Sequence, residues 1–163
     1  MRRSFIRNAH AVWVKPEQPV EEESSIIHGI SHRKVRSAPD LERSLEPVLD
    51  ALAGKVVVVH HRHIERSFFS HALLTRLQED IQFPVIDTME LELRALQARQ
   101  GLLGRVLRRP LGSVRLGDCR QRYSLPYYPP HRALSDAIAT AELLLAQLAY
   151  QYRDHTPVGE LWL

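Results

Sequence analysis

Between Ala133 and Leu148 the apolar residues Leu134, Ala137, Ile138, Ala141, Leu144, Leu145 and Leu148 recur at helical spacing, which predicts one helix with a core-facing stripe. Pro129 and Pro130 cannot extend a helix from upstream, so this one begins after them. A second stripe, Leu41, Leu45, Val48, Leu49 and Leu52, predicts an amphipathic helix that starts after Pro39, closes at Gly54 and is kinked at Pro47. Val56 to Val59 is a run of four β-branched residues, the pattern of a strand buried on both faces, central and partly parallel. The helix after it is expected to bury Phe68, Phe69, Ala72, Leu73 and Leu77.

Phe83, Val85 and Ile86 form a further short strand, followed by a helix from about Met89 to Gln100 that Gly101 and Gly104 interrupt. Residues 113 to 123 read as a short arginine-bearing helix terminated by Pro126. Residues 5 to 14 read as an extended strand stopped by Pro16 and Pro19. That strand starts without a turn or cap before it, as in a chain missing its beginning. Strands alternating with helices define an α/β chain.

A length of 163 residues and 44% hydrophobic content suit one domain with a proper core, here residues 1–151, followed by a polar tail at 152–163 that ends in Leu161, Trp162 and Leu163. Cys119 is the only cysteine, which excludes a disulfide framework and fits a reducing compartment. No apolar run has the length of a membrane span, and Met1 to Arg7 lacks the apolar block of a signal peptide. The expected setting is cytoplasmic, with no membrane partner. Net charge is +3, yet residues 101 to 122 hold six arginines (105, 108, 109, 115, 120 and 122) against Asp118 alone, a local +5. A concentrated guanidinium surface suits phosphate contact, and a solvated loop is the alternative.

The chemistry concentrates where two helices begin. His131 precedes the long helix and Asp136 lies in its first turns, where the dipole favours negative charge. Five residues of helix would turn the two side chains to different faces, whereas a histidine in the loop before the helix can swing over Asp136. A base poised near neutral pH beside a hard-cation ligand suits metal-assisted phosphodiester hydrolysis; on these residues alone, a solvated aspartate beside a loop histidine is the other reading. At the start of the other helix, His60, His61, Arg62, His63 and Glu65 follow the valine strand, where ligands gather in open α/β sheets. Three histidines in four residues raise a zinc site, but their directions at a strand end diverge and no partner sits at finger spacing.

Four ordered stretches resemble the DEDDh family of 3′–5′ exonucleases, to which the epsilon proofreading subunit of bacterial DNA polymerase III belongs. His28-Gly29-Ile30-Ser31 matches the family's His-Gly-Ile-Thr turn. His60-His61-Arg62-His63-Ile64-Glu65 is similar to His-Asn-Ala-x-Phe-Asp. Phe83-Pro84-Val85-Ile86-Asp87-Thr88 resembles Phe-Pro-x-x-Asp-Thr, and His131 to Ala137 meets His-x-Ala-x-x-Asp-Ala, with Ala139-Thr140-Ala141-Glu142 continuing as in the family.

The resemblance implies a ribonuclease H-like mixed sheet of about five strands flanked by helices. It further implies a pair of Mg2+ or Mn2+ ions held by four carboxylates, with Glu65 and Asp136 as two of these ligands and His131 as general base. Ile27, His28, His60, His61 and Phe68 would then bind substrate, the 3′ end of single-stranded DNA or RNA, and a DNA polymerase would be a partner. Two positions depart from the pattern: Glu65 stands for the usual Asp, and Arg62 for a small Ala. The family's first motif, an Asp-x-Glu on the first strand, has no counterpart in the 163 residues, and Asp87-Thr88-Met89-Glu90 is one residue too long to replace it. The fold is accordingly expected to be N-terminally truncated, with an exposed sheet edge open to self-association.

Overall fold

The computed structural model describes residues 9–107, 110–152 and 156–162, and gives helices arranged around a small parallel sheet. Helix α1 (Glu22–His28) closes on Gly29, whose φ of 67° is left-handed and whose N–H returns to the Ser25 carbonyl at 2.9 Å. Glycine adopts that conformation without Cβ strain, which is how the His28-Gly29 turn ends the helix. The short α2 (His32–Val35) leads to α3 (Leu41–Leu52). Asp40 caps α3 by accepting a hydrogen bond from the Arg43 N–H at 2.9 Å, and Leu45 is the buried centre of its stripe.

Strand β1 (Val57–Val59) pairs in parallel with β2 (Val85–Asp87), Val58 opposite Ile86. Helix α4 (Arg62–Leu77) connects them, and α5 (Thr88–Val106) follows β2 directly. Gly101, at φ 64° and ψ −177°, interrupts α5 where the sequence places a break. Helix α6 (Leu116–Arg122) and helix α7 (Ala133–Gln151) follow, and a single 3₁₀ turn spans Val158–Glu160.

Helix α7 is the central element, packing on α5, α6 and β1. One buried cluster joins Ile86, Leu91 and Leu161, with Val56, Val58, Leu144, Leu148 and Tyr152 against it. The other joins Cys119, Tyr123 and Leu143 with Val114, Leu116, Leu125 and Ala146. Because α7 lies between two clusters, its buried line follows the expected stripe only in part, at Leu144 and Leu148. Ala139, Thr140, Leu143 and Gln147 are interior, whereas Leu134, Ala137, Ala141 and Leu145 face solvent. Hydrogen bonding explains the rotation: Gln147 donates to the Thr88 carbonyl and to Glu92, so a polar side chain is carried inward without an orphaned donor.

Other expectations are corrected. Residues 9–14 form no strand; residues 5–8 lie outside the described residues. The sheet holds two strands among the described residues, not five. Val57 to Val59 are half-buried, not buried on both faces, because β1 pairs only with β2 while α7 packs on it. On α4, Leu73 is buried but Phe68 is 72% exposed and Leu77 is also exposed. Of its neighbours α3 makes the main contact, so the apolar face that α4 can bury is narrow. Phe69, half-buried, meets Phe83 edge to face with centroids 5.4 Å apart.

Candidate functional site

Both strand ends converge on one carboxylate. Asp87, 2% exposed at the end of β2, accepts backbone hydrogen bonds from His61 (3.1 Å), Arg62 (2.8 Å) and Met89 (2.9 Å). It thereby satisfies the first amides of α4 and α5 together, and each helix dipole favours its charge. This is the physical content of the Asp-Thr pair singled out in the sequence. With its oxygens engaged by three amides, Asp87 is a structural cap.

His60 ends β1 with its ring turned inward. Its Nδ1 lies 2.8 Å from Thr88 Oγ1 and its Nε2 3.0 Å from the Val114 carbonyl, while the Thr88 hydroxyl also reaches the Val59 carbonyl at 3.0 Å. Both ring nitrogens are therefore occupied within the protein. Three contacts to groups that accept hydrogen bonds require three protons, and a neutral ring plus one hydroxyl supply two. The Val114 carbonyl can only accept, so the neutral ring carries its proton on Nε2 and the Thr88 proton is shared between Nδ1 and Val59.

Burial lowers the His60 pKa from 6.5, outweighing the opposing effects of the Val114 carbonyl and Asp87. The unfolded chain thus binds this proton more readily than the folded one, so the contribution to stability is complete above pH 6.5 and is lost as pH falls through the lower folded pKa. Urea midpoints of wild type should fall between pH 7.5 and 5.5 more steeply than those of His60→Gln; equal slopes would remove His60 as the source.

His61 caps α4 at φ 116°, and His131 stands one residue before the α7 cap, Arg132, at φ 66°. Among the described residues these are two of the four non-glycine positions with positive φ, the others being Gln78 and Ser124. Left-handed backbone at a histidine costs on the order of 1 kcal/mol, and such positions gather at functional sites. His131 is exposed, and Asp136 is half-buried in the first turn of α7, its N–H bonded to the Arg132 carbonyl at 2.9 Å. Glu65 is exposed in the first turn of α4. Phe68, one turn further on, and Ile64 present apolar surface beside it. The side chains of Ile27 and His28 lie outside the described residues.

Strand β1 runs into His60–Glu65 and packs on the second half of α7, where Val56 and Val58 share a cluster with Leu144 and Leu148, whereas His131 and Asp136 stand at the other end of that helix. No hydrogen bond or ion pair joins Glu65, His131 and Asp136 among the described residues. Nor do any three His, Cys, Asp or Glu side chains there gather as a metal set. His60 is committed inward while His61 and His63 meet edge to face at 6.3 Å, so the three histidines do not converge on one point as zinc ligands would. A two-metal centre does not fit either: Glu65 and Asp136 would bring two negative charges to two dications, whose repulsion needs more converging carboxylates.

The arginine surface is smaller than its sequence suggests. Arg120 is buried, donating to the Ala139 carbonyl (2.6 Å), the Pro126 carbonyl (2.8 Å) and Glu142 (2.8 Å) while lying over the Tyr128 ring. Arg122 pairs with buried Glu92 at 3.2 Å and with the Ser113 carbonyl. Arg115 is exposed, the Arg105 side chain lies outside the described residues, and so do Arg108 and Arg109. Sequence reasoning gave Glu92 no role. It is fully buried among Tyr123, Gln147 and Arg122, and nothing in its local pattern, Glu90-Leu91-Glu92, distinguishes the interior glutamate from the outer one.

Two parallel strands with a helix after each make this an α/β protein. The family model described as Exonuclease, of the RNase T type, matches residues 1–144, and the chain belongs to that family. It is 27% identical over 148 residues to a DNA polymerase III PolC-type protein of Caldanaerobacter subterraneus subsp. tengcongensis, a match covering 91% of this chain and 10% of that protein. A DNA polymerase III subunit epsilon-like protein of Rhodobacter capsulatus is 28% identical over 147 residues, covering 90% of this chain and 19% of its own length. The chain thus spans a tenth to about a fifth of these relatives. Among solved structures, Exonuclease X in complex with 5′ overhanging duplex DNA superposes with a TM-score of 0.58 at 22% identity, covering 85% of this chain and 71% of that one. No helix among the described residues is long and apolar enough to cross a membrane.

Proposed function

We propose that this chain is the end-binding part of a 3′–5′ exonuclease that acts on nucleic acid 3′ ends, with His131 as general base toward the attacking water. In the 163 residues themselves this gives binding without cleavage. The observation that carries the reading is the exonuclease-family match over residues 1–144, within which His131 and Asp136 stand at the start of α7. His131 is exposed before α7 and Asp136 half-buried in its first turn, an imidazole and a carboxylate of the kinds that general-base and cation-ligand roles use.

Phe68 and Ile64 supply apolar surface on which a terminal base can stack, a contribution of about 1–3 kcal/mol per base in single-strand binders. DNA is the favoured substrate and a DNA polymerase the favoured partner, because the relatives named above are polymerase III proteins. Mg2+ or Mn2+ is the metal this reading calls for, and Glu65 and Asp136 are the carboxylates that would meet it.

The test is anisotropy with a labelled single strand bearing a free 3′ hydroxyl, against the same sequence closed into a circle. End recognition predicts about tenfold tighter binding of the linear strand, a difference near 1.4 kcal/mol, and weakening of both with salt. Equal affinities for line and circle would refute the reading.

A further inference from the structure

We infer that Leu161 is a positioning residue for the candidate site, holding strand β1 against helix α7 from the far end of the chain. The inference rests on the functional reading above only for its consequence in binding. The C-terminal segment turns back in a 3₁₀ turn, with the Leu161 N–H bonded to the Val158 carbonyl at 3.0 Å. Its two apolar neighbours in that turn remain outside, Val158 at 52% and Trp162 at 46% exposure, whereas Leu161 is 4% exposed.

Leu161 enters the cluster of Ile86 and Leu91 against which Val56, Val58, Leu144 and Leu148 pack. One side chain thus lies where β1, β2, α5 and α7 meet. Each of these contacts has a lever attached. Val58 is two residues before His60 and seven before Glu65, and Leu144 is eight residues, just over two turns, after Asp136 in the same helix. Strand β1 has no second strand partner among the described residues, so hydrogen bonding on its other edge does not fix it. Polar ties run from the strand's end through Thr88 to Gln147 of α7, and along the strand itself apolar contact in this cluster sets its position against the helix, so that a shift there displaces Glu65 and its neighbours relative to His131 and Asp136.

A merely stabilising leucine would act on the whole domain alike, and this separates the two roles. Hydrogen–deuterium exchange should be measured on the full chain and on Leu161→Ala, Leu161→Val, Leu161→Met and Val158→Ala. In Leu161→Ala the amides of Val57–Val59 and Leu144–Leu148 should exchange about 10²-fold faster, while those of Cys119–Tyr123, in the other cluster, change far less. Leu161→Val should show the same pattern at smaller amplitude, so the comparison survives if the alanine variant does not fold. Leu161→Met should restore protection, and Val158→Ala should leave it unchanged.

Affinity for the linear strand should fall about tenfold in Leu161→Ala, as loosened geometry predicts, and recover in Leu161→Met. Uniform acceleration across both clusters, or unchanged exchange at β1, would overturn the inference. Failure of the intact chain to prefer a 3′ end would refute the proposed function, while the exchange pattern would still decide the role of Leu161.

Discussion

Incubated in magnesium with a 3′-labelled single strand, the 163-residue chain should leave the strand intact, and a version preceded by an apolar strand carrying Asp-x-Glu should shorten it. The reason is electrostatic. In two-metal hydrolysis the cations sit about 3.5–4 Å apart and must bridge the attacking and leaving oxygens. Their repulsion is offset only by carboxylates that converge on both, and the family's motifs supply two of these here, Glu65 and Asp136. Magnesium also releases its waters reluctantly, so an exposed glutamate and a half-buried aspartate do not replace that shell. In the extended version, His131→Ala should reduce turnover by roughly 10²- to 10⁴-fold with strand affinity nearly preserved, because the base acts on the attacking water and not on binding. Asp136→Ala should lose turnover and metal binding together. Comparable cleavage by the short and extended chains would show that the charge argument is wrong, and an unchanged rate in His131→Ala would remove it as the base.

The helices were legible wherever local chemistry decides them. Pro39 with the Leu41–Leu52 stripe, and Gly101, mark element boundaries through periodicity and backbone freedom, which depend on few neighbours, whereas α1, with a single apolar pair and no stripe, was not read as a helix. The face that a helix buries was not legible where two cores compete for it. In α7 the periodic leucines and alanines pointed to one face, but Gln147 and Thr140 lie inside because Thr88, Glu92 and the Asp136 carbonyl give them partners. The partners of Gln147 lie 59 and 55 residues away in sequence, so periodicity does not contain them.

The site divides in the same way. His131 and Asp136 stand out through their spacing after a proline pair, and Asp87 through its motif. The inward turn of His60 and the internal pairing of Arg120 and Arg122 depend on Val114, Ala139 and Glu92, which only the folded chain brings near. A run of arginines therefore overstates the phosphate-facing surface.

Replacing Glu92 by alanine should be among the most destabilising single changes in the described core. Glu92 is fully buried, and its two oxygens accept from Tyr123 Oη (2.8 Å), Gln147 Nε2 (3.1 Å) and Arg122 Nε (3.2 Å), so one side chain ties α5 to α6, to the residue that caps α6, and to α7. Removing it leaves a phenol without its acceptor and a guanidinium without its counter-charge. Loss of one partner from a buried ionic network costs about 3–5 kcal/mol, to which a small cavity adds. Glu92→Gln preserves the volume but turns an amide N–H toward donors, leaving a mismatched group at about 1–3 kcal/mol. Tyr123→Phe removes the hydroxyl that donates to Glu92 and accepts from half-buried Gln151, leaves the Glu92 charge paired with Arg122, and should cost least, about 1 kcal/mol. Its phenol is pushed up to about 12, first by burial and then by the hydrogen bond to Glu92, so Tyr123 should titrate at lower pH in Glu92→Gln than in the wild type. Urea unfolding of the three variants and of the Glu92→Ala/Tyr123→Phe double variant closes a cycle, in which the double should lose less than the sum of the singles because Tyr123 has no acceptor left to lose. Additive losses, or a Glu92→Ala cost within about 1 kcal/mol, would show that solvent reaches Glu92 and that the other contacts of α5, α6 and α7 hold them without it.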